Sequence, residues 1–370
     1  MTDPFPLPRP PFGRRASRAA LWSLLSQQER LMDSLLVIDD AWSASRALQP
    51  IERGSRLLWQ GDWHNGRQVV AAIKRRLRPS ATGFADYRRQ RGRQVRAVNA
   101  VLVALTSQYD VELRRAPDVQ QACREAYGPP TGDRLVPLQE LLGVIGAHQL
   151  RRRGVEVPAL GARIHPHYGV FAPTRSEYVE LVANTPSRSE RAFDIGTGTG
   201  VLAAVLARRG LRVTATDLDP RAVECARDNF RRLNLPADVL RTDLFPPGRA
   251  DLIVCNPPWI PARPITPLDR AVYDEDSRML TRFLDGARHH LEPGGEVWLI
   301  LSDLAEHLGL RSRADLLAMV DRAGLIVAGR ADIATRHRRS WDRGDALAAA
   351  RGKEVTSLWR LAEVDRPPGS

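Results

Sequence analysis

The run Phe193-Asp194-Ile195-Gly196-Thr197-Gly198-Thr199-Gly200 restricts what this chain can fold into more than any other feature. It reads as a short apolar strand entering a glycine-rich turn, followed by helical periodicity over residues 201–209 and a stop at Gly210. Glycines let the backbone take positive φ and come close to a ligand, and the amides of the following helix can face polar or anionic groups. A second strand over 212–216 ends at Asp217, where an acid accepts hydrogen bonds from hydroxyls. Asp219 is an expected N-cap and Pro220 a first-turn proline for a helix over 221–233. A third strand, 238–242, ends at Asp243, and a fourth, 251–255, delivers Asn256. In open α/β sheets ligands bind outside the carboxyl ends of the strands, so Gly196, Asp217, Asp243 and Asn256 are expected to converge on one crevice.

The fourth strand runs into Val254-Cys255-Asn256-Pro257-Pro258-Trp259, and this suits chemistry on a planar nitrogen. An amide or aniline-like nitrogen is a poor nucleophile because its lone pair is delocalised. Two rigid acceptors holding its N–H bonds orient that lone pair and offset positive charge developing on it, and such positioning supplies on the order of 7 to 11 kcal/mol in favourable cases. An adjacent aromatic ring stacks on flat groups, worth roughly 1 to 3 kcal/mol per nucleobase.

The turn is spaced G-x-G-x-G rather than the G-x-G-x-x-G of dinucleotide oxidoreductases. With the second strand-end acid and Asn-Pro-Pro-Trp, the chain resembles the class I S-adenosylmethionine-dependent methyltransferases, in the branch acting on amide or exocyclic amino nitrogens. The resemblance covers roughly residues 160–310 by the combined evidence of an active-site checklist. It implies an α/β fold with a Rossmann-like seven-stranded sheet containing one antiparallel strand, and S-adenosylmethionine as cofactor. It further implies that Asp194, Gly196, Thr197, Gly198 and Gly200 surround the methionine portion of the cofactor. Asp217 would be the ribose acid and Asp243 the reader of the adenine amino group, while Asn256, Pro257, Pro258 and Trp259 would form the catalytic clamp on the acceptor, Asn256 also bordering the cofactor.

Ahead of the glycine turn, residues 170–180 resemble the segment that protein-glutamine methyltransferases place before their cofactor motif. Phe171, Pro173 and Glu177 are its substrate-side counterparts, but the family's Pro-Arg-Pro-Glu-Thr-Glu run is broken here. Tyr273-Asp274-Glu275-Asp276-Ser277 stands where the family has a glycine-rich Asp-Gly turn. The expected acceptor is a macromolecule, because the extra N-terminal domain suits docking something large: a protein glutamine, or an RNA or DNA amino group, since a flipped-out adenine offers Asn256 similar N–H donors. The alternative is a nucleic-acid-binding protein whose methyltransferase domain binds cofactor but is idle.

The 370 residues allow one large or two ordinary domains. A flexible proline-rich start (1–15), a mainly helical substrate-docking domain (16–155) and a methyltransferase domain (156–370) are expected, with a linker over 151–158. Leu21, Leu24, Leu25, Leu31 and Leu35 approximate a helical stripe, and the segments 95–105 and 138–150 look similar. The runs 56–63 and 68–73 flank His64-Asn65-Gly66, as in a small hairpin, although the second could equally start a helix. Cys123, Cys225 and Cys255 form no ligand pairs, and the His165-Pro166-His167 pair lacks further ligands, so no metal is expected. No apolar run approaches a membrane span, and a cytoplasmic location is expected.

Net charge is +12, and residues 61–100 carry +8 of it: ten basic side chains (Arg67, Lys74, Arg75, Arg76, Arg78, Arg88, Arg89, Arg91, Arg93, Arg96) against Asp62 and Asp86. Such a patch favours polyanions, and nucleic-acid contact is expected over residues 67–96. The competing reading is a solvated helix surface in an arginine-rich chain whose only lysines are Lys74 and Lys353.

Overall fold

The computed structural model describes residues 34–80, 83–335 and 347–363. The proline-rich start and four leucines of the expected N-terminal stripe lie outside those residues. The fifth, Leu35, opens a strand. The chain divides into two units, Met1–Arg76 with Gln94–Leu142, and Leu77–Arg93 with Gly143–Ser370. Of the three boundaries, one falls at the end of the helix Trp63–Arg76 and two fall inside the helices Phe84–Asn99 and Leu138–Arg153.

The first unit is built on a four-stranded sheet, β1 (Leu35–Ile38), β2 (Arg56–Trp59), β3 (Val101–Leu105) and β4 (Arg134–Pro137), in that order. The first three run parallel and β4 is antiparallel to β3. Helices hold more of its residues than strands do, but the expectation of a mainly helical domain missed the sheet. The apolar positions of 95–105 divide between the end of helix Phe84–Asn99 and the buried strand β3. The expected hairpin is instead β2 followed by the helix Trp63–Arg76. Gly66 inside that helix is required by packing, because a Cβ there would come within 2.8 Å of Trp59 Nε1. Asp62, fully buried, accepts from the backbone N–H of His64 and from the Nε of Arg114 and of Arg115. These donors, the Arg115 hydrogen bond foremost, hold its carboxyl far below the usual carboxylate range.

The second unit begins with an antiparallel pair, β5 (Val155–Val157) and β6 (Ala162–Ile164), in place of the expected linker. Its main sheet comprises β7 (Arg191–Ile195), β8 (Arg212–Asp217), β9 (Asp238–Arg241), β10 (Ala250–Cys255), β11 (Leu291–Ser302), β12 (Leu325–Ala334) and β13 (Val355–Glu363). The order is β12-β13-β11-β10-β7-β8-β9. β13 is antiparallel to both its neighbours; β7 to β11 run parallel. Helices cover both faces. Along β10, Leu252 and Val254 join one core with Trp298 and the helix Val201–Arg208, while Ile253 and Cys255 join the other with Phe283, Leu284 and Trp359. A parallel strand buried on both faces reads as a continuous apolar run, as Leu-Ile-Val-Cys does. Among the described residues, no helix is long and apolar enough to cross a membrane.

Candidate active site

Strand register brings the predicted residues together. Ile195 pairs with Thr216 on one side and Cys255 on the other, so Gly196, Asp217 and Asn256 are the next residues on three adjacent strands, about 5 Å apart between neighbours. Asp217 in turn pairs with Arg241, and its carbonyl accepts from the Thr242 N–H.

The glycine turn is shaped from behind by Asp194, which is 1% exposed. Its Oδ2 accepts from Thr197 Oγ1 at 2.6 Å and from the Ala203 N–H at 3.1 Å. Gly196, Gly198 and Gly200 have φ of 73°, 56° and 80°. A Cβ on Gly200 would meet Ala226 and Phe230 at 3.1–3.3 Å, whereas one on Gly198 would meet nothing within 4 Å. The side chain of Thr197 is turned inward, and its amide and that of Gly196 go to the Thr216 carbonyl. The following helix does not offer all its first amides to a ligand, because Asp194 takes that of Ala203. The loop is thus a preformed cradle whose approachable part is backbone at Gly198.

Burial raises the Asp194 carboxyl to about 6. The folded state then holds this proton more tightly than the unfolded chain, so the contribution of Asp194 to stability is least favourable above pH 6 and improves as pH falls toward the ordinary 3.8. Asp194→Asn keeps an acceptor oxygen but does not titrate. Calorimetric Tm of wild type relative to this variant is expected to rise between pH 7 and pH 5, by on the order of 1–3 kcal/mol in stability. A constant difference would mean that Asp194 is not a raised carboxyl.

Asp217 accepts from the Gly198 N–H at 3.0 Å and the Asp219 N–H at 2.9 Å, one on each oxygen. Burial raises its carboxyl from the ordinary value. Each carboxylate oxygen retains further acceptor capacity suited to hydroxyls. Asp219 is the N-cap and Pro220 the first residue of the helix Pro220–Leu233. Asp243 is half exposed and forms an ion pair with Arg282 at 2.7 Å. Asn229, which sequence reasoning passed over, is 1% exposed and ties the loop to the segment before it: its amide donates to the Thr199 carbonyl and its Oδ1 accepts from the His165 N–H. The two histidines are otherwise engaged, His165 Nδ1 with the Arg151 carbonyl and His167 Nε2 with Asp228.

At the end of β10, Asn256 Oδ1 accepts from Trp259 Nε1 at 2.8 Å. Cys255 is buried, and burial pushes its thiol well above its ordinary range, which removes it as a nucleophile. The substrate-side candidates separate: Phe171 is 41% exposed, Pro173 is buried, and Glu177 is buried as the first residue of the helix Glu177–Asn184. Asp276 and Ser277, standing where a glycine turn was the family expectation, take φ of 58° and 54°. That left-handed strain is held by Arg311, whose Nη1 donates to Ser277 Oγ, and by the Thr281 hydroxyl donating to the Ser277 carbonyl. Asp274 accepts from the N–H groups of Met279 and Leu280 and so caps the helix Arg278–Ala287. Arg88 lies 4.1 Å from the Tyr273 ring centroid, donates to the Arg263 carbonyl and approaches Asp269 at 3.9 Å. It belongs to this unit's framework, so the basic segment of the sequence is not one uniform solvated patch.

A parallel sheet with a single antiparallel strand next to its edge, a three-glycine loop after β7 and an acceptor at the end of β8 suit a nucleoside-bearing cofactor. They fit an S-adenosylmethionine-dependent methyltransferase. Residues 161–320 match the family described as the Methyltransferase small domain. A Methanocaldococcus jannaschii protein named as an N5-glutamine methyltransferase is 27% identical over 159 residues, 40% of this chain and 80% of that one. A ribosomal protein L11 methyltransferase of Chelativorans is 33% identical over 53% of this chain and 60% of its own length. A ribosomal RNA small subunit methyltransferase C of Alcanivorax borkumensis is 32% identical over 30% of this chain. This chain spans 31% of the length of that last relative.

Proposed function

We propose that this protein is a cytoplasmic N-methyltransferase that modifies a planar amide or exocyclic amino nitrogen of a macromolecule. Asn256 carries the proposal: it stands at a buried strand end beside the glycine loop, with its carbonyl oxygen already oriented. Bound S-adenosylmethionine supplies an activated methyl group on a positively charged sulfur. Gly198, in the loop that Gly196 and Gly200 shape, would admit the cofactor to the backbone, and Asp217 would accept from its ribose hydroxyls. Asp243 reads the adenine amino group with the carboxylate capacity it does not spend on Arg282. Asn256 Oδ1 and the Pro257 carbonyl accept the two N–H bonds of the acceptor nitrogen. Pro257 and Pro258 keep these acceptors still, and the acceptor's flat group lies against the face of Trp259 turned away from Arg175.

The relatives are named for a protein glutamine, a ribosomal protein and ribosomal RNA, which supports a macromolecular acceptor. Phe171, exposed ahead of the site, is the substrate-side residue best available to touch it; Pro173 and Glu177 are buried supports. Transfer of tritiated methyl from S-adenosylmethionine into an extract of cells lacking the protein tests the proposal. Label released by protease and not nuclease identifies a protein acceptor; the converse identifies RNA or DNA. No transfer under either condition would overturn the reading.

If the acceptor is a nucleic acid, the exposed Arg67, Arg75 and Arg76 of the first unit are the contacts to expect from the basic segment, since Arg88 is engaged elsewhere. Arg67→Gln, Arg75→Gln and Arg76→Gln together are expected to reduce the slope of log affinity against log salt by roughly one for each phosphate no longer neutralised. A slope equal to that of the wild type would leave these arginines as solvated surface.

A further inference from the structure

Trp259 packs against both cores of the sheet and is held at three further points. Its ring N–H donates to Asn256 Oδ1 at 2.8 Å. One face of the ring lies under the Arg175 guanidinium, 5.0 Å from the centroid. Its backbone carbonyl accepts from Arg311 Nη2 at 3.4 Å, and the same guanidinium reaches Ser277. Arg175 is itself held from far along the chain. Both its terminal nitrogens donate to Glu354 Oε1 at 3.0 Å, and Nη2 also donates to Thr335 Oγ1 at 2.9 Å. Glu354 is buried just before β13, and the same Oε1 accepts from the Ser302 hydroxyl at the end of β11 at 2.7 Å.

An asparagine side chain can turn over and exchange its oxygen for its NH2 at little cost. An indole N–H is a donor only, so opposite it the oxygen is the one satisfactory choice. That oxygen has two lone pairs, and the indole uses one. The remaining lone pair is what an acceptor N–H requires, whereas a turned-over amide would present a donor to a donor. We infer that Trp259 and Arg175 are positioning residues: Trp259 acts through its ring N–H to fix the orientation of the Asn256 amide, and Arg175, anchored by Glu354, fixes the indole. This rests on the proposal that Asn256 receives the acceptor nitrogen. It adds that the aromatic residue is needed as a hydrogen-bond donor and not only as a flat surface, so phenylalanine cannot replace it.

The test uses the full chain labelled with 15N. The indole resonance of Trp259, identified by its loss in Trp259→Phe, is expected to exchange slowly with solvent in the wild type and at least about tenfold faster in Asn256→Ala, as a donor loses its partner. Arg175→Gln is expected to raise the exchange rate as well. Arg175→Lys, which keeps a cation over the ring, is expected to restore most of the protection. In the extract transfer assay, Trp259→Phe and Arg175→Gln are expected to lower kcat about a hundredfold, the scale of a misplaced reacting group, with calorimetric affinity for S-adenosylmethionine within twofold of wild type. An indole proton exchanging equally fast in wild type and Asn256→Ala would overturn the inference, as would a Trp259→Phe protein transferring methyl at the wild-type rate. Failure of the proposed function has a different signature: no transfer by the wild type, with the exchange pattern intact.

Discussion

Replacing Asn256 with alanine is expected to lower methyl transfer by about 10²–10³-fold, the loss produced when a preorganised polar group is removed from a reaction centre. Affinity for S-adenosylmethionine is expected to stay close to the wild-type value. The reason lies in which hydrogen bonds are cut. The glycine loop is supported by Asp194, Asp217 and Asn229, and none of these bonds involves Asn256. Asn256 bonds to Trp259, a residue of its own turn. Initial rates of tritium transfer and calorimetric titration with the cofactor measure the two quantities separately. Turnover surviving in the variant would take Asn256 out of the mechanism, and a parallel loss of cofactor affinity would show that the two halves of the site are not independent.

Asp217→Ala is expected to have the opposite profile. Its carboxylate bridges the Gly198 and Asp219 amides, so the substitution removes the acceptor offered to ribose and also releases the middle of the glycine loop. Charged hydrogen bonds are worth about 1.5–3 kcal/mol each, so affinity for S-adenosylmethionine should fall by a factor of about ten or more. Calorimetry decides this, and an unchanged Kd would show that Asp217 does not serve the cofactor. Asp217→Asn should fall between, because one oxygen remains while an NH2 faces an amide donor.

The catalytic sheet was legible because each of its signals is local. Strand, glycine turn, acid and helix cap repeat within a few residues of one another, and register then aligns their ends without further information. The first unit was harder to read for an equally physical reason. Val95, Val98, Leu102 and Leu105 fit a helical period by coincidence, because a helix face ends at Asn99 and a doubly buried strand begins at Val101. His64-Asn65-Gly66 has turn chemistry, yet Gly66 is small to make room for Trp59, and the helix wins. At the site, Glu177 has the type of a substrate-facing acid but is buried as the first residue of its helix. Arg175 could not have been singled out, since its partner Glu354 is 179 residues away and no spacing rule connects them. Arg88 looked like one more cation of a basic run and proves to be packed on Tyr273.

β13 lies between β11 and β12, antiparallel to each, and this fixes the order in which the catalytic sheet can be assembled. On a growing chain β12 emerges before the strand that joins it to the sheet, and β11 keeps an open edge until residues 355–363 have been made. Glu354, which anchors Arg175, arrives with the same segment. The sheet and the support of the proposed acceptor clamp are therefore completed by one event. Such non-local pairing is slow to form because distant segments must first be brought together. A nascent chain interrupted before that point would hold the glycine loop and Asn256 in sequence yet lack the inner strand and the anchor, so competence waits on residues 354–363 rather than being acquired by degrees.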